Sequence, residues 1–246
     1  MGAKDAPHLE DGEGPVRPVS VSRFSIRKTT VTNATFADFV SATGHVTCAE
    51  QRGFSQVFQG QLAAPDVYAI ASPTTPWWRV VEGACWRYPS GSAEAEPDMP
   101  AVHVSHADAR AFCAWAGTRL PTEAEWECAA QDTDLTDINI WRGRFPDQSI
   151  AEIGPWIAAS GSPNSNGLNH ICGNVWEWTS DRFTNLHSPR PVTNPTGPLN
   201  GPDRVVKGGS FLCCPSYCAR FRPSSRRSED STTTTSHLGF RDVLLG

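Results

Sequence analysis

Apolar residues recur three and four apart in three parts of the chain, and each part carries its own start and stop signals. In TVTNATFADFVSATGH, Phe36, Phe39 and Val40 share one face of a helical period, Thr32 or Asn33 can cap the start, and Gly44 ends it. SHADARAFCAWAG sets Ser105 against Asp108 as a capping box and closes at Gly117. TEAEWECAAQ follows Pro121 with Thr122 and Glu125 in the same relation. These stretches predict amphipathic helices. Between the first and second, Cys48 to Pro100 has no period and is rich in Trp, Pro and Gly, which predicts irregular chain. Beyond Gln131 the pattern shortens to strand-length pieces separated by turn clusters such as SGSPNSNG and NPTGPLNGP. With no internal repeat and no linker-like run, the expectation is a single α+β domain over residues 1–246 with much irregular structure.

Composition agrees with that picture and narrows the partners. A chain of 246 residues with 39% hydrophobic and 19% charged positions can bury a sizeable core and is too apolar to be disordered. Nine Trp, 20 Gly and 20 Pro against two Met favour a loop-rich fold stapled by aromatic side chains. The net charge of -5, with no Lys/Arg run, offers no field for a phosphate backbone and argues against a nucleic-acid partner. No window reaches the roughly 18 apolar residues that suggest a membrane span. The polar, acidic start MGAKDAPHLEDGEGP does not have the character of an export signal, so the expectation is a cytoplasmic protein that is not embedded in a membrane.

The eight cysteines bring in chemistry. Cys113 and Cys128 fall within helical patterns and read as small buried fillers, while Cys48, Cys85 and Cys172 carry no spacing signal. The other three, Cys213, Cys214 and Cys218, crowd into SFLCCPSYCAR. Their separation is too long for a C-x-x-C redox hairpin, and no second C-x-x-C pair exists to complete a zinc knuckle. Three chemistries remain open: a local disulfide, a closed zinc site borrowing Cys214 and His237, or a two-thiolate site for Cu(I), which soft sulfur ligands select.

The surrounding residues add a resemblance. RVVKGGSFLCCPSYCARFRPSSRR, followed by SHLGFRDV, is similar to the signature of the formylglycine-generating enzyme family, also called sulfatase-modifying factors. VEGACWRYPSG, MPAVHVSHADARAFCAWAGTRLPTEAEWECAA, NIWRGRFP and NGLNHICGNVWEWTSD resemble further blocks of that family in the same order, so the likeness runs roughly from Phe24 to Val243. The resemblance implies a fold similar to C-type lectin-like domains and a formylglycine-generating enzyme-like domain over 1–246. It also implies an activity: oxidation by O2 of the cysteine in a sulfatase-type peptide, Cys-x-Pro-x-Arg, to Cα-formylglycine.

Carried onto this chain, it implies that Cys213 and Cys218 are catalytic and hold one Cu(I), with the substrate thiolate as a third sulfur and open positions left for oxygen. Ser210 becomes an active-site hydroxyl, Trp176 a wall of the same pocket, and Tyr217 an aromatic surface for an extended peptide. Cys214 stands where many members of the family carry His. The family's structural Ca2+ implies one ligand set of the Asn169 side chain, the Gly173 and Val175 carbonyls and Glu177. A second set would use Asn139 and the Ile140 carbonyl, but there EIGP places Ile153 where the family has Asp, with Glu152 the nearest replacement. The loop between Gln131 and Asn139 is also shorter than the family's. Two further readings follow: a related oxidase acting on another thiol or peptide, and a non-catalytic lectin-like binding module, against which the retained cysteine pair argues.

Overall fold

The computed structural model describes residues 1–245. Helix α1, Asn33–Thr43, begins where the Thr32 hydroxyl accepts from the Thr35 N–H and stops at Gly44, which adopts a left-handed conformation with φ 67°. Helix α2, Cys48–Arg52, was not expected; with only five residues it has no apolar stripe to betray it, and its Thr47–Glu50 capping box and Gly53 stop are its only marks. Helices α3, His106–Ala116, and α4, Glu123–Ala129, carry the two capping boxes read from the sequence, Ser105 with Asp108 and Thr122 with Glu125.

The stretch from Cys48 to Pro100 is not irregular as expected. It contains a three-stranded antiparallel sheet in which Trp78–Glu82 lies between Phe54–Phe58 and Ala69–Ile70. The alternation of buried and exposed positions that marks a strand is short there and is surrounded by Trp, Pro and Gly, so pairing across the intervening loop decides the structure, not local pattern.

A four-stranded sheet organises the C-terminal half, in the order Arg226–Asp230, Asp203–Lys207, Trp176–Arg182, Leu238–Gly239. Its neighbours are antiparallel except Leu238–Gly239, which runs parallel to Trp176–Arg182. Helix α4 docks on this sheet through charge. Lys207, fully buried, places its ammonium 3.1 Å from Glu127 and 3.7 Å from Glu123, and Arg226 grips Glu123 at 2.6 and 2.9 Å. Buried charges are tolerated only when paired in this way. The same arrangement turns the helix so that Glu123 and Glu127 face inward and Cys128 faces out; the expectation of a buried Cys128 is therefore wrong, whereas Cys113 is buried. Phe36, Phe39, Phe112 and Phe240 form the aromatic heart of the main core, with ring centroids 5.2 to 6.3 Å apart. The α+β organisation with much irregular chain is as expected. Among the described residues no helix is long and apolar enough to cross a membrane.

Candidate functional site

The site begins where strand Asp203–Lys207 ends. Gly208 and Gly209 follow with φ 93° and 73°, a conformation that side chains resist. A Cβ on Gly209 would lie 2.8 Å from the Arg220 carbonyl and 2.9 Å from the Phe221 Cα, so the returning chain rests directly on this turn. In the loop between, the Cys213 N–H donates to the Ser210 carbonyl at 2.8 Å. The N–H groups of Cys218 and Ala219 both donate to the Cys214 carbonyl, at 2.9 and 3.1 Å. This single tight turn carries Cys218 back beside Cys213.

Cys213, Cys218, Ser210, Trp176 and Tyr217 all line one cleft of about 380 Å3. The structure thus brings together the catalytic and substrate-binding residues expected from the sequence. Both cysteines are mostly buried and free of any disulfide, while Tyr217 stands half exposed at the mouth. Cys214 points elsewhere: its sulfur lies 3.1 Å from the Ser216 hydroxyl and 3.7 Å from the Gly143 carbonyl, in an apolar cluster with Phe58, Trp141 and Phe211. A closed zinc site using Cys214 and His237 is therefore not built, although His237 itself lines the cleft.

The two thiols are unequal. The neighbouring Cys213 thiol draws the Cys218 pKa down to about 7 against the opposing effect of burial. The Arg220 N–H donates to the Cys218 sulfur at 3.4 Å, and the Arg220 and Arg227 charges act in the same direction. Cys213 is pushed well above its usual range, first by burial and then by the neighbouring Cys218. The pair therefore gives up one proton readily and holds the other, sharing a single negative charge.

Aromatic side chains wall the cleft. Phe145 stacks on Tyr217 with centroids 4.8 Å apart, and Trp77 meets both edge-on at 5.1 and 5.6 Å. His237 is buried against Trp78 at 4.7 Å, with its Nδ1 2.7 Å from the Thr235 hydroxyl. Burial, then the Arg227 charge, hold it well below its ordinary pKa, so it is neutral. Arg227 and Glu229 complete the rim, 3.5 Å apart. Sequence reasoning missed Trp77, Phe145, Arg227 and Glu229; the adjacent tryptophans of TTPWWRV in an otherwise small, polar loop were the available signal.

An N-terminal segment braces the loop from outside. His8 Nε2 bonds the Cys218 carbonyl at 2.8 Å, Asp11 holds Arg220 at 2.5 Å, and Glu13 holds Arg222 at 2.6 Å.

The implied metals fare differently. The sulfur pair, soft and facing a cleft, fits a Cu(I) ion. The calcium sets do not fit this arrangement. Both Glu177 oxygens accept from Arg241 at 2.7 Å, and one also accepts from the Trp126 indole at 2.8 Å, so a fully buried guanidinium already occupies the carboxylate. Arg241 also donates to the Asn169 carbonyl at 3.1 Å, and the Asn169 amide nitrogen is turned to the Ser160 carbonyl at 3.1 Å. Gly173 and Val175 are both buried. In the second set the Asn139 amide donates to the Gly154 carbonyl and to the Asn174 Oδ1, at 2.9 and 3.0 Å. Ile140 is buried beside it, Ile153 packs against the apolar cluster around Phe58, and Glu152 is exposed, leaving no carboxylate to attract a hard cation.

Residues 1–244 match the family described as sulfatase-modifying factor enzyme 1-like domain. The chain is 46% identical over 254 residues to the formylglycine-generating enzyme of Streptomyces coelicolor, covering 94% of this chain and 81% of that one. It is 42% identical over 264 residues to the formylglycine-generating enzyme of Bos taurus, covering 98% and 71%. The solved structure of PvdO from Pseudomonas aeruginosa superposes with a TM-score of 0.71 at 18% identity, over 99% of this chain and 89% of that one, a likeness of fold.

Proposed function

The chain belongs to the sulfatase-modifying factor family, and from that premise we propose that it oxidises a cysteine of a sulfatase-type peptide, Cys-x-Pro-x-Arg, to Cα-formylglycine with Cu(I) and O2. The observation that carries this reading is the pair of free thiols, Cys213 and Cys218, sharing one cleft with an aromatic wall.

In this reading Cys213 and Cys218 hold Cu(I), which when bound supplies one-electron chemistry toward dioxygen. The remaining work falls to the chain. The negative charge shared by the sulfur pair favours a soft monovalent cation, and the small loop leaves the cleft open for a third sulfur. Tyr217, Phe145 and Trp77 form a slot whose ring faces and edges suit an extended peptide and its proline. The Glu229 carboxylate on the rim can pair with the peptide's arginine. Ser210, at the base of the cleft, offers a hydroxyl to the incoming sulfur, and His237, held neutral, adds an uncharged imidazole to the wall. The substrate loses one hydrogen from sulfur and one from Cβ, two electrons in all, and the C–S single bond becomes C=S. Water then adds to that carbon and hydrogen sulfide leaves, giving the aldehyde. Dioxygen takes up these two electrons and two more from an external thiol, with four protons, and ends as water.

The test is turnover of a Cys-x-Pro-x-Arg peptide by the Cu(I)-loaded protein in air with a reducing thiol, read by hydrazide capture of the aldehyde and the accompanying loss of mass. Cys213→Ala and Cys218→Ala are each expected to abolish it, and Cys214→Ala to retain it. Activity lost in Cys214→Ala alone would overturn the assignment.

A further inference from the structure

A second cleft, of about 770 Å3, lies at the other end of the central sheet from the sulfur pair. The strand Trp176–Arg182 runs from one to the other, with Trp176 in the first and Ser180 in the second. Arg23, Arg110, Arg119 and Arg204 line it, and Glu125 is its one carboxylate. That carboxylate is committed: Arg119 grips it at 2.6 and 2.7 Å, and the Thr122 N–H donates to it at 2.8 Å. Arg23, Arg110 and Arg204 form no salt bridge among the described residues. In a chain whose net charge is -5, three uncompensated guanidinium groups around one concavity run against the composition.

Arg204 makes the case most sharply. Its Nη1 donates to the Ser180 carbonyl at 2.9 Å, while its Nε is buried without a partner. A buried donor left unpaired carries a desolvation penalty. Burial, then the charges of Arg182 and Arg110, draw the Arg204 pKa below its usual range, and His106 on the same wall is pushed to about 3 by burial and then by Arg204. Asp181, the carboxyl that attracts Arg204, is turned to the Glu123 N–H and the Ser180 hydroxyl. Cys113, Ala114 and Leu120 add apolar lining.

We propose that this cleft binds a small molecule carrying a diphosphate or similarly multiply charged phosphoryl group, held by Arg23, Arg110 and Arg204. Guanidinium forks match the oxygens of such a group in geometry and charge, and the cleft volume suits a ligand of that size. The site is separate from the sulfur pair, and its test reads binding, not turnover.

Inorganic pyrophosphate and a nucleoside diphosphate are titrated calorimetrically into the full chain at low ionic strength. Pyrophosphate is expected to bind, to weaken as salt is raised, and to lose about tenfold or more in affinity in Arg110→Ala and in Arg204→Gln. Arg190→Ala, an exposed arginine outside this cleft, is expected to bind like the parent. A nucleoside diphosphate that binds at least as tightly as pyrophosphate assigns the cleft to an organic ester; one that binds more weakly assigns it to the free anion. Arg110 lies on the exposed side of α3, so its substitution reports even if Arg204→Gln folds poorly. Absence of binding by both probes, or binding that survives both substitutions, overturns the proposal.

Discussion

Asp181 is a buried carboxyl whose two hydrogen bonds, from the Glu123 N–H and the Ser180 hydroxyl, do not offset the loss of water around it. Burial, then the Glu123 charge, raise its pKa from 3.8 to about 6. Because the folded-state value is raised, the neutral form is the one folding favours. That contribution is full below 3.8 and is lost as pH climbs through about 6. At neutral pH the ionised group then costs on the order of 3 kcal/mol. Asp181→Asn, which keeps the shape and one acceptor, is expected to raise Tm by several degrees at about pH 8 and to lose that advantage below about pH 4, by thermal unfolding followed by tryptophan fluorescence. An unchanged difference across that range would contradict this. The cysteines teach the converse about legibility. Spacing alone left three chemistries open for Cys213, Cys214 and Cys218, because which sulfurs face one cleft depends on a turn closed by the Cys214 carbonyl.

At the scale of elements, α1, α3 and α4 were legible because a helix is a local object: its caps and its apolar stripe lie within a few residues of one another. The three-stranded sheet was not, because Phe54–Phe58 must find Trp78–Glu82 across a loop that has no period of its own. The residues proposed for calcium show a similar dependence on distant chain. Glu177 and Asn169 stand near each other in sequence, but Arg241, 64 residues beyond Glu177, supplies the cation. Chelation with EDTA is therefore expected to leave the Tm of the parent protein unchanged. Glu177→Gln is expected to cost about 3–5 kcal/mol in denaturant unfolding, since it strands a fully buried guanidinium. A drop in Tm on chelation would restore calcium to the structure.

At the scale of the molecule, the loop that carries Cys213 and Cys218 is braced by a segment almost the whole chain away. The fully buried Glu13 carboxylate gathers Arg222 at 2.6 Å, Ser224 at 3.1 Å and Ser225 at 3.5 Å. Glu13→Ala is expected to speed tryptic cleavage after Arg220 and to raise KM for the peptide; cleavage at the parental rate would show that the brace is dispensable. The loop has a second fixed point in the glycine turn at 208 and 209. A methyl group on Gly208 would meet the Ile171 carbonyl at 2.9 Å, and one on Gly209 would press into backbone at 2.8 and 2.9 Å. Neither neighbour is a side chain that could swing aside. The segment is therefore a cassette with welded ends: exposed Pro215 faces outward with room for exchange, while the points of attachment have none.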